Sequence, residues 1–593
     1  MSDHATARPF GRPALWLAVA LVITVAGYCY HLGGRNILKI GDEDLYIQIA
    51  RMTGEQGKLL PLVCELGICD TKPPLLFWQG IASTDWGHWW SLWALRFPTV
   101  LYTAATAFLV GLLATKLAAD RRKGWLAALL FTGAASTFQY GRPFLTNQPE
   151  TFWLFLPVVL LIAFGELSWP VVVMCGLSLG IGALYKSFVL VVPVTAAFAL
   201  IQWRRRNWDL VATLRQDTGR LAAMAGIGLA LFALWFLFDP YPGTVLHDFV
   251  LKENVGKFSH GSYLLDLVTG HYNAITVIWL GDLVNYGALA PALAGLVGIT
   301  LLDRWRRSAA RGSDGKFLPK HDDVGDYHGS TLVVDPKAPL TAAERDLWCY
   351  VIGFLIIYTA PHQRQENYIL PTVAALAVLM ALRWDRIPGW LLRLSGVLAT
   401  VVIGGLAWLV LGLPAAVPDV SYAPWQLVVL GLLLLLAISG VVGRDGAIRC
   451  RLPAAVAGTW LALGLALAPF DGPFLPTPDS PGLSALRDRT ILFPSTFLMR
   501  HERFRFDVPG SQVAPYDPRD STATDSLVRQ GRLMALAIPL DGSAPAGHRE
   551  YAQRLDLSTR IPSNDVRQII LDRRFDLLVR RLVIVEGPSA LTP

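Results

Sequence analysis

Residues 221–238 read LAAMAGIGLALFALWFLF, eighteen positions without a charged side chain. As an α-helix rising 1.5 Å per residue, that run is about 27 Å long, close to the hydrocarbon thickness of a bilayer. The same test applied outward in both directions finds apolar spans near 14–32, 97–115, 124–139, 149–165, 169–185, 187–203, 275–302, 347–361, 368–382, 389–413, 425–442 and 453–469, which with 221–238 makes thirteen. Composition agrees. Of 593 residues 53% are hydrophobic and only 16% charged, against about 25% charged in soluble domains. A single core stops growing at roughly 250–300 residues, so a mean hydropathy of +0.42 over this length requires surface that faces lipid. The net charge of +7 does not point to nucleic acid, because Lys and Arg gather in the cytoplasmic loops of membrane proteins. Twenty tryptophans suit interfacial belts, and six cysteines are too few for a disulfide scaffold.

Charge sets the expected topology. With Arg8 and Arg12 inside, the loops 116–123, 204–220, 303–346, 383–388 and 443–452 are inside as well. They carry Arg121, Arg122, Lys123, Arg204, Arg205, Arg206, Arg304, Arg306, Arg307, Arg383, Arg386, Arg444, Arg449 and Arg451. The first span reads as an uncleaved signal anchor. Thirteen crossings place residues 471–593 outside, and the composition changes there. A Pro-broken linker (Pro473, Pro476, Pro478, Pro481) leads into strand-like runs Thr490–Phe493, Leu533–Ile538 and Leu577–Val585 and a helix near Asn564–Leu571. The expected architecture is a multi-span α-helical membrane domain, 1–470, with a small periplasmic α/β domain, 471–593, in a bacterial inner membrane.

The longest outer connection, 33–95, mixes Asp42, Glu43, Asp44, Lys58, Asp70, Lys72 and Asp85 with Trp78, Trp86, Trp89, Trp90 and Trp93. Leu45, Tyr46, Ile49 and Met52 have helical spacing, predicting an interfacial helix with acids at its positive N-terminus. The ordinary reading of such a triplet is a helix cap. Lys72-Pro73-Pro74 predicts a fixed backbone opening a second helix. Further polar groups fall at expected outer ends: Arg142, Thr146, Asn147 and Gln148; Lys186; Asp248, Lys252, Glu253, Asn254, Lys257 and His260; His362, Gln363, Arg364, Gln365, Glu366 and Tyr368. Each alone reads as a snorkelling or capping residue. Their shared side of the membrane points to one outward cavity, where Arg and Lys suit a phosphate beside a lipid tail.

At these residues the chain resembles the GT-C superfamily of polyprenyl-phosphate-dependent glycosyltransferases, in the branch of lipid A aminoarabinose transferase and protein O-mannosyltransferases. Five pieces carry the likeness in order over roughly 36–380. Asp42-Glu43-Asp44-Leu45-Tyr46 is similar to the family's D-E-x-x-Y, and Lys72-Pro73-Pro74-Leu75 to its K-P-P-L. Tyr140-Gly141-Arg142 with Leu145-Thr146-Asn147-Gln148-Pro149 resembles its G-R…L-T-D-x-P. Glu253-Asn254-Val255-Gly256-Lys257-Phe258 resembles its E-N-x-x-R-F, and Tyr368-Ile369-Leu370-Pro371 its Y-x-L-P. The resemblance implies an enzyme that moves a sugar from a polyprenyl-phosphate donor to a lipid, glycan or protein acceptor on the periplasmic face, with inversion. It implies that Asp42 is the catalytic carboxylate and that Lys72, Lys257 and Tyr368, with Lys186 and Arg142, contact the donor phosphate. Glu43, Tyr46, Asn147, Glu253 and His362 are the expected substrate contacts. Three positions depart from the pattern: Asn147 stands in place of Asp, Lys257 in place of Arg, and Thr71 in place of the Glu often found before the Lys.

Cys64 and Cys69 share the outer loop, where a disulfide and two free thiols are both open. No His, Cys and carboxylate spacing indicates a dedicated metal site, so no cofactor is called for, although a divalent cation is compatible with the chemistry. Neither a GxxxxGK loop nor a GxGxxG fingerprint is present, which disfavours a soluble nucleotide donor. Two other classes compete: a transporter or lipid flippase, which calls for ionisable residues at span centres and repeat-related broken helices, and a noncatalytic partner using the outer domain for binding.

Overall fold

A computed structural model describes residues 12–35, 41–69, 71–254, 274–313, 339–478, 480–496, 499–558 and 561–587. The thirteen expected apolar spans fall mainly on helical residues, two of them, 124–139 and 275–302, on more than one α-helix. Eight helices among the described residues are long and apolar enough to cross a membrane, and Ala14–Cys29, Trp169–Tyr185 and Pro424–Ser439 are shorter apolar helices. The first part of the chain forms α1 (Arg12–Cys29), α2 (Gly41–Glu55), α3 (Leu75–Ser83), α4 (Leu92–Ala118), α5 (Arg121–Gly133), α6 (Ala135–Tyr140), α7 (Asn147–Phe164), α8 (Trp169–Tyr185), α9 (Val191–Arg205) and α10 (Leu210–Phe238). The expected span 124–139 is broken where Ala134 turns extended (φ −63°, ψ 140°) between α5 and α6.

Burial sorts the helices. All fourteen residues of helix Leu370–Arg383 are buried, which makes it the central post of the bundle. By contrast, α10 and helix Gly389–Ala416 bury little more than a quarter of their apolar windows. Their exposed Leu237 and Leu411 (77% and 71% exposed) belong against lipid tails.

Arginines of the expected inner loops have partners as well as a topological role. Arg383 donates from Nε and Nη2 to both oxygens of Glu344, at 2.5 and 2.6 Å, and Glu344 also closes a capping box with Thr341. Arg204 and Arg205 share Asp346, and Arg386 forks onto Asp303.

After helix Asp445–Leu467 the hydrophobic period changes from helical to alternating. Within 63–69, β1 (Val63–Cys64) and β2 (Gly67–Ile68) make a small hairpin, closed by a Cys64–Cys69 disulfide. The C-terminal region builds β3 (Leu475–Pro476), β4 (Thr490–Pro494), β5 (Gln512–Tyr516), β6 (Leu533–Ile538), β7 (Arg549–Leu557) and β8 (Val579–Glu586) into one sheet of order β3-β7-β8-β6-β4-β5. The β4 strand is parallel to β5 and β6, and the other pairs are antiparallel. Its helix Ser563–Leu571 lies where the sequence places it.

This sheet domain sits on the helices at two places. Phe575 meets Trp408 edge to face at 4.7 Å and closes over Leu413, Val417 and Val420. The 3₁₀ segment Arg500–Phe506 lies along α2. The α2 helix is therefore no open interfacial helix. Glu43, Asp44 and residues 46–50 are all buried, because its second face is covered by protein.

Candidate active site

The acidic triplet at the start of α2 splits three ways, since successive residues of a helix point about 100° apart. Glu43 turns inward, and its two oxygens accept from Arg96 Nε and Nη2 at 2.7 Å each, with the Phe144 backbone N–H donating to Oε1 at 2.7 Å. Burial pushes this carboxyl up, but Arg96 outweighs it and holds Glu43 below the usual carboxylate range. Arg96 also donates to the carbonyls of Leu32 and Gly34. Glu43 thus anchors α2 to α4 and to the chain before α7, a structural placement in place of the expected substrate contact. Asp44 turns to the sheet domain and is held by Arg503. Asp42 alone of the three is exposed.

Around Asp42 the structure brings together most of the expected set. Tyr46 follows one turn later; burial pushes its hydroxyl well up, reinforced by the charges of Asp42, Glu253 and Glu150. The same three carboxylates act on the Tyr368 hydroxyl. Lys72 sits just ahead of α3, where Pro73 and Pro74 open the helix as the sequence predicts, and its Nζ donates to Glu253 Oε1 at 2.5 Å. Lys186, just after α8, donates to Glu150 Oε2 at 2.7 Å and lies 5.5 Å from the centre of the Tyr368 ring. The geometry is two lysine–glutamate pairs beside two tyrosine hydroxyls and one exposed aspartate. Such a set can neutralise an anionic leaving group and orient an incoming hydroxyl without a protonated acid.

Other expected residues fall elsewhere. Arg142 is buried, with Nε and Nη2 donating to the carbonyls of Tyr28 and Tyr30 at 3.1 and 2.6 Å. It caps the end of α1 rather than meeting the site, because the orphan carbonyls of a helix end need donors. Asn147 opens α7 and is buried, and His362 is buried in the turn before Tyr368. Lys257 lies outside the described residues.

Glu150, absent from the sequence-based set, is the notable addition. It is 1% exposed, and its Oε1 has no partner. Gln148, wholly buried two residues earlier, has neither amide atom satisfied. Buried polar atoms are rarely left so, and a hydroxyl-bearing ligand can satisfy them. Tyr140 is a second addition, within reach of the Asp42 charge. Its own motif, Tyr140-Gly141-Arg142, drew attention to the arginine instead. Glu65, His501 and Glu502 gather within 4.8 Å, but Arg51 and Arg505 already bind Glu502. Two guanidiniums beside a carboxylate make that group an ion-pair cluster unsuited to a cation.

Residues 41–241 match the family model of dolichyl-phosphate-mannose-protein mannosyltransferase. An undecaprenyl phosphate-alpha-4-amino-4-deoxy-L-arabinose arabinosyl transferase of Serratia proteamaculans is 26% identical over 375 residues, 62% of this chain and 58% of that protein. Its Yersinia pestis counterpart is 24% identical over 403 residues, covering 65% and 63%. The chain spans less than two thirds of the length of these relatives. The crystal structure of ArnT from Cupriavidus metallidurans bound to undecaprenyl phosphate superposes with a TM-score of 0.56 at 14% identity, covering 99% of this chain and all of that one.

The chain shares the fold of that structure. Its sequence is similar to the mannosyltransferase family model over 41–241 and to the arabinosyl transferases over about two thirds of its length, and it carries eight helices long and apolar enough to cross a membrane among the described residues, with a C-terminal sheet region. The match over 41–241 takes in Asp42, Tyr46, Lys72, Glu150 and Lys186, five of the groups that surround the site. Nothing in these likenesses favours a transporter, and the ionisable residues of the site gather at helix ends.

Proposed function

We propose that this protein is a glycosyltransferase that moves a sugar from a polyprenyl-phosphate donor to a lipid, glycan or protein acceptor on the periplasmic face of the inner membrane, with inversion. The N-terminus is cytoplasmic and the sheet domain periplasmic in this reading. Residues 1–470 carry the chemistry and 471–593 form the appended domain. The donor class follows the relatives, whose own substrate is an aminoarabinose on undecaprenyl phosphate, and a lipid acceptor follows from the same likeness.

The observation that carries the reading is the exposure of Asp42 just ahead of two carboxylates locked by arginines, with its charge acting on the same Tyr46 and Tyr368 hydroxyls as the Glu253 and Glu150 of the two lysine pairs. The lysines take the donor phosphate, exchanging glutamate for phosphate oxygens. That neutralises the leaving group as the glycosidic C–O bond breaks, so departure needs no proton. Asp42 accepts or orients the proton of the attacking acceptor hydroxyl. Tyr46 and Tyr368 hydrogen-bond the phosphate or the sugar, and Asn147, Gln148 and Glu150 offer amide and carboxylate groups to sugar hydroxyls.

The test is sugar transfer by purified protein in lipid nanodiscs, with a synthetic undecaprenyl-phosphate aminopentose as donor and extracted envelope lipid as acceptor. Asp42→Asn should lower the rate on the order of 10²–10⁴-fold while the protein still binds undecaprenyl phosphate. Full activity of that variant would remove Asp42 from the reaction.

A further inference from the structure

The face of α2 opposite the site is polar and buried, and it is matched by one short segment of the sheet domain. Asp44, Gln48 and Arg51 follow one another at helical spacing along α2. Asp44 and Gln48 are 1% and 0% exposed. Facing them is Arg500–Phe506, in which successive side chains take successive partners. His501 Nε2 meets Glu65 Oε1 at 2.9 Å, on the turn of the disulfide-closed hairpin. Glu502 receives Arg51 Nε at 2.5 Å and Gln48 Nε2 at 3.3 Å. Arg503 Nε lies 3.0 Å from each oxygen of Asp44. Phe506 stacks on Trp90 with centroids 5.8 Å apart. Phe504 turns the other way, into the sheet domain's own core beside Phe493, and Arg505 donates to the Val513 carbonyl of β5.

A buried carboxylate or guanidinium that loses its partner costs several kcal/mol, so the seated sheet domain is a second hold on α2, on the face opposite the Glu43–Arg96 anchor. Asp42 and Asp44 are two residues apart, about 200° around the helix axis. A pull on Asp44 from one side therefore fixes how far Asp42 reaches on the other. We propose that Arg500–Phe506 is a clamp that places Asp42 for reaction, with Arg503 as its principal positioning residue, acting through Asp44 without touching substrate. The proposal rests on the reading of Asp42 given above and adds a role for the sheet domain in the chemistry.

A displacement of about 1 Å at a reacting group can cost on the order of 10²-fold in rate. Arg503→Ala should accordingly lower kcat by about tenfold or more, while affinity for undecaprenyl phosphate, set by the lysines, stays within about twofold. Arg503→Lys keeps the charge and should recover part of the loss. Arg519→Ala, on the exposed surface of the same domain, should behave as wild type. Unchanged kcat in Arg503→Ala would overturn the clamp, as would a parallel loss of donor affinity and kcat.

If Arg503→Ala fails to fold, Glu65→Gln is the milder arm, weakening only the His501 contact. It should lower kcat severalfold at unchanged donor affinity, and a wild-type rate there would equally overturn the proposal. Hydrogen exchange separates this proposal from the functional reading. Amides of 41–55 should exchange faster in Arg503→Ala than in wild type while those of α4 do not, whether or not any chosen donor is turned over. Transfer absent in the wild type with this exchange pattern present would fail the functional reading alone. An α2 that exchanges at its wild-type rate in Arg503→Ala would fail the clamp.

Discussion

Single side chains decide what the Asp42-Glu43-Asp44 triplet does, and residue type alone does not say which way each one points. The places of Asp42 and Lys72 at helix starts are legible because they are set locally: a helix that starts at Gly41 and a diproline that opens α3. Glu43 is misread because its partner Arg96 lies 53 residues away. Arg142 is misread because the carbonyls it caps belong to α1, 112 and 114 residues earlier. Glu150 escaped notice since a lone acid in an apolar run gives no signal until Lys186 is seen beside it. Glu43→Gln should leave the buried Arg96 charge without its partner and cost about 3–5 kcal/mol of stability, read by thermal unfolding in detergent. Lys72→Ala should behave differently, weakening donor binding by about 1.5–3 kcal/mol with little change in melting temperature, checked by titration with undecaprenyl phosphate.

Among the elements, α2 and the Arg500–Phe506 segment respond to acid in opposite senses. Burial pushes the Asp44 carboxyl up to about 6, against the pull of Arg503. A folded pKa above the ordinary aspartate value of about 3.9 means that the folded state gains stability from protonating Asp44 as pH falls through 6, yet protonation removes the charge that Arg503 grips. Burial also pushes Glu502 up, but hydrogen bonds and charge from Arg51, aided by Arg505 and Gln48, hold it below the ordinary glutamate value. Its contribution is complete above about pH 4.3 and drains away only below that. Sugar transfer should therefore fall as pH drops through about 6 while the fold persists to below about 4.3. The Asp44→Asn variant should lose this acid limb. Rate profiles set beside melting curves across pH 4–7 check the separation. The strands Thr490–Pro494 and Leu533–Ile538 are legible as short strand-like apolar runs. The 3₁₀ segment is not, since RHERFRF follows neither a period of 2 nor one of 3.6.

Over the whole molecule, the apolar spans and the composition break near 470 were the most legible features, because they depend on the solvent and not on partners. What hydropathy cannot show is how the sheet domain meets the membrane helices, which is settled by shape at contacts such as Phe575 on Trp408. At Gly412 a Cβ would collide with the Phe575 ring, so the helix needs glycine there for the domain to sit down. Gly412→Val should cost roughly 1–3 kcal/mol through overpacking. It should also lower transfer without altering donor affinity, since the domain would seat imperfectly on α2 as well. Thermal unfolding and turnover of that variant, measured together, check both.

The distance along the chain between α2 and its clamp has a consequence for biosynthesis. Gln48 and its partner Glu502 are separated by 454 residues, so the ribosome makes α2 long before the segment that holds it. On the clamp proposal, the helix bearing Asp42 waits with this stripe unmatched, and Asp42 is set only when nearly all of the polypeptide has been made. On the same proposal, a product that stops before Arg500 keeps the Glu43–Arg96 anchor but lacks the second hold on α2, and its sugar transfer should be slow.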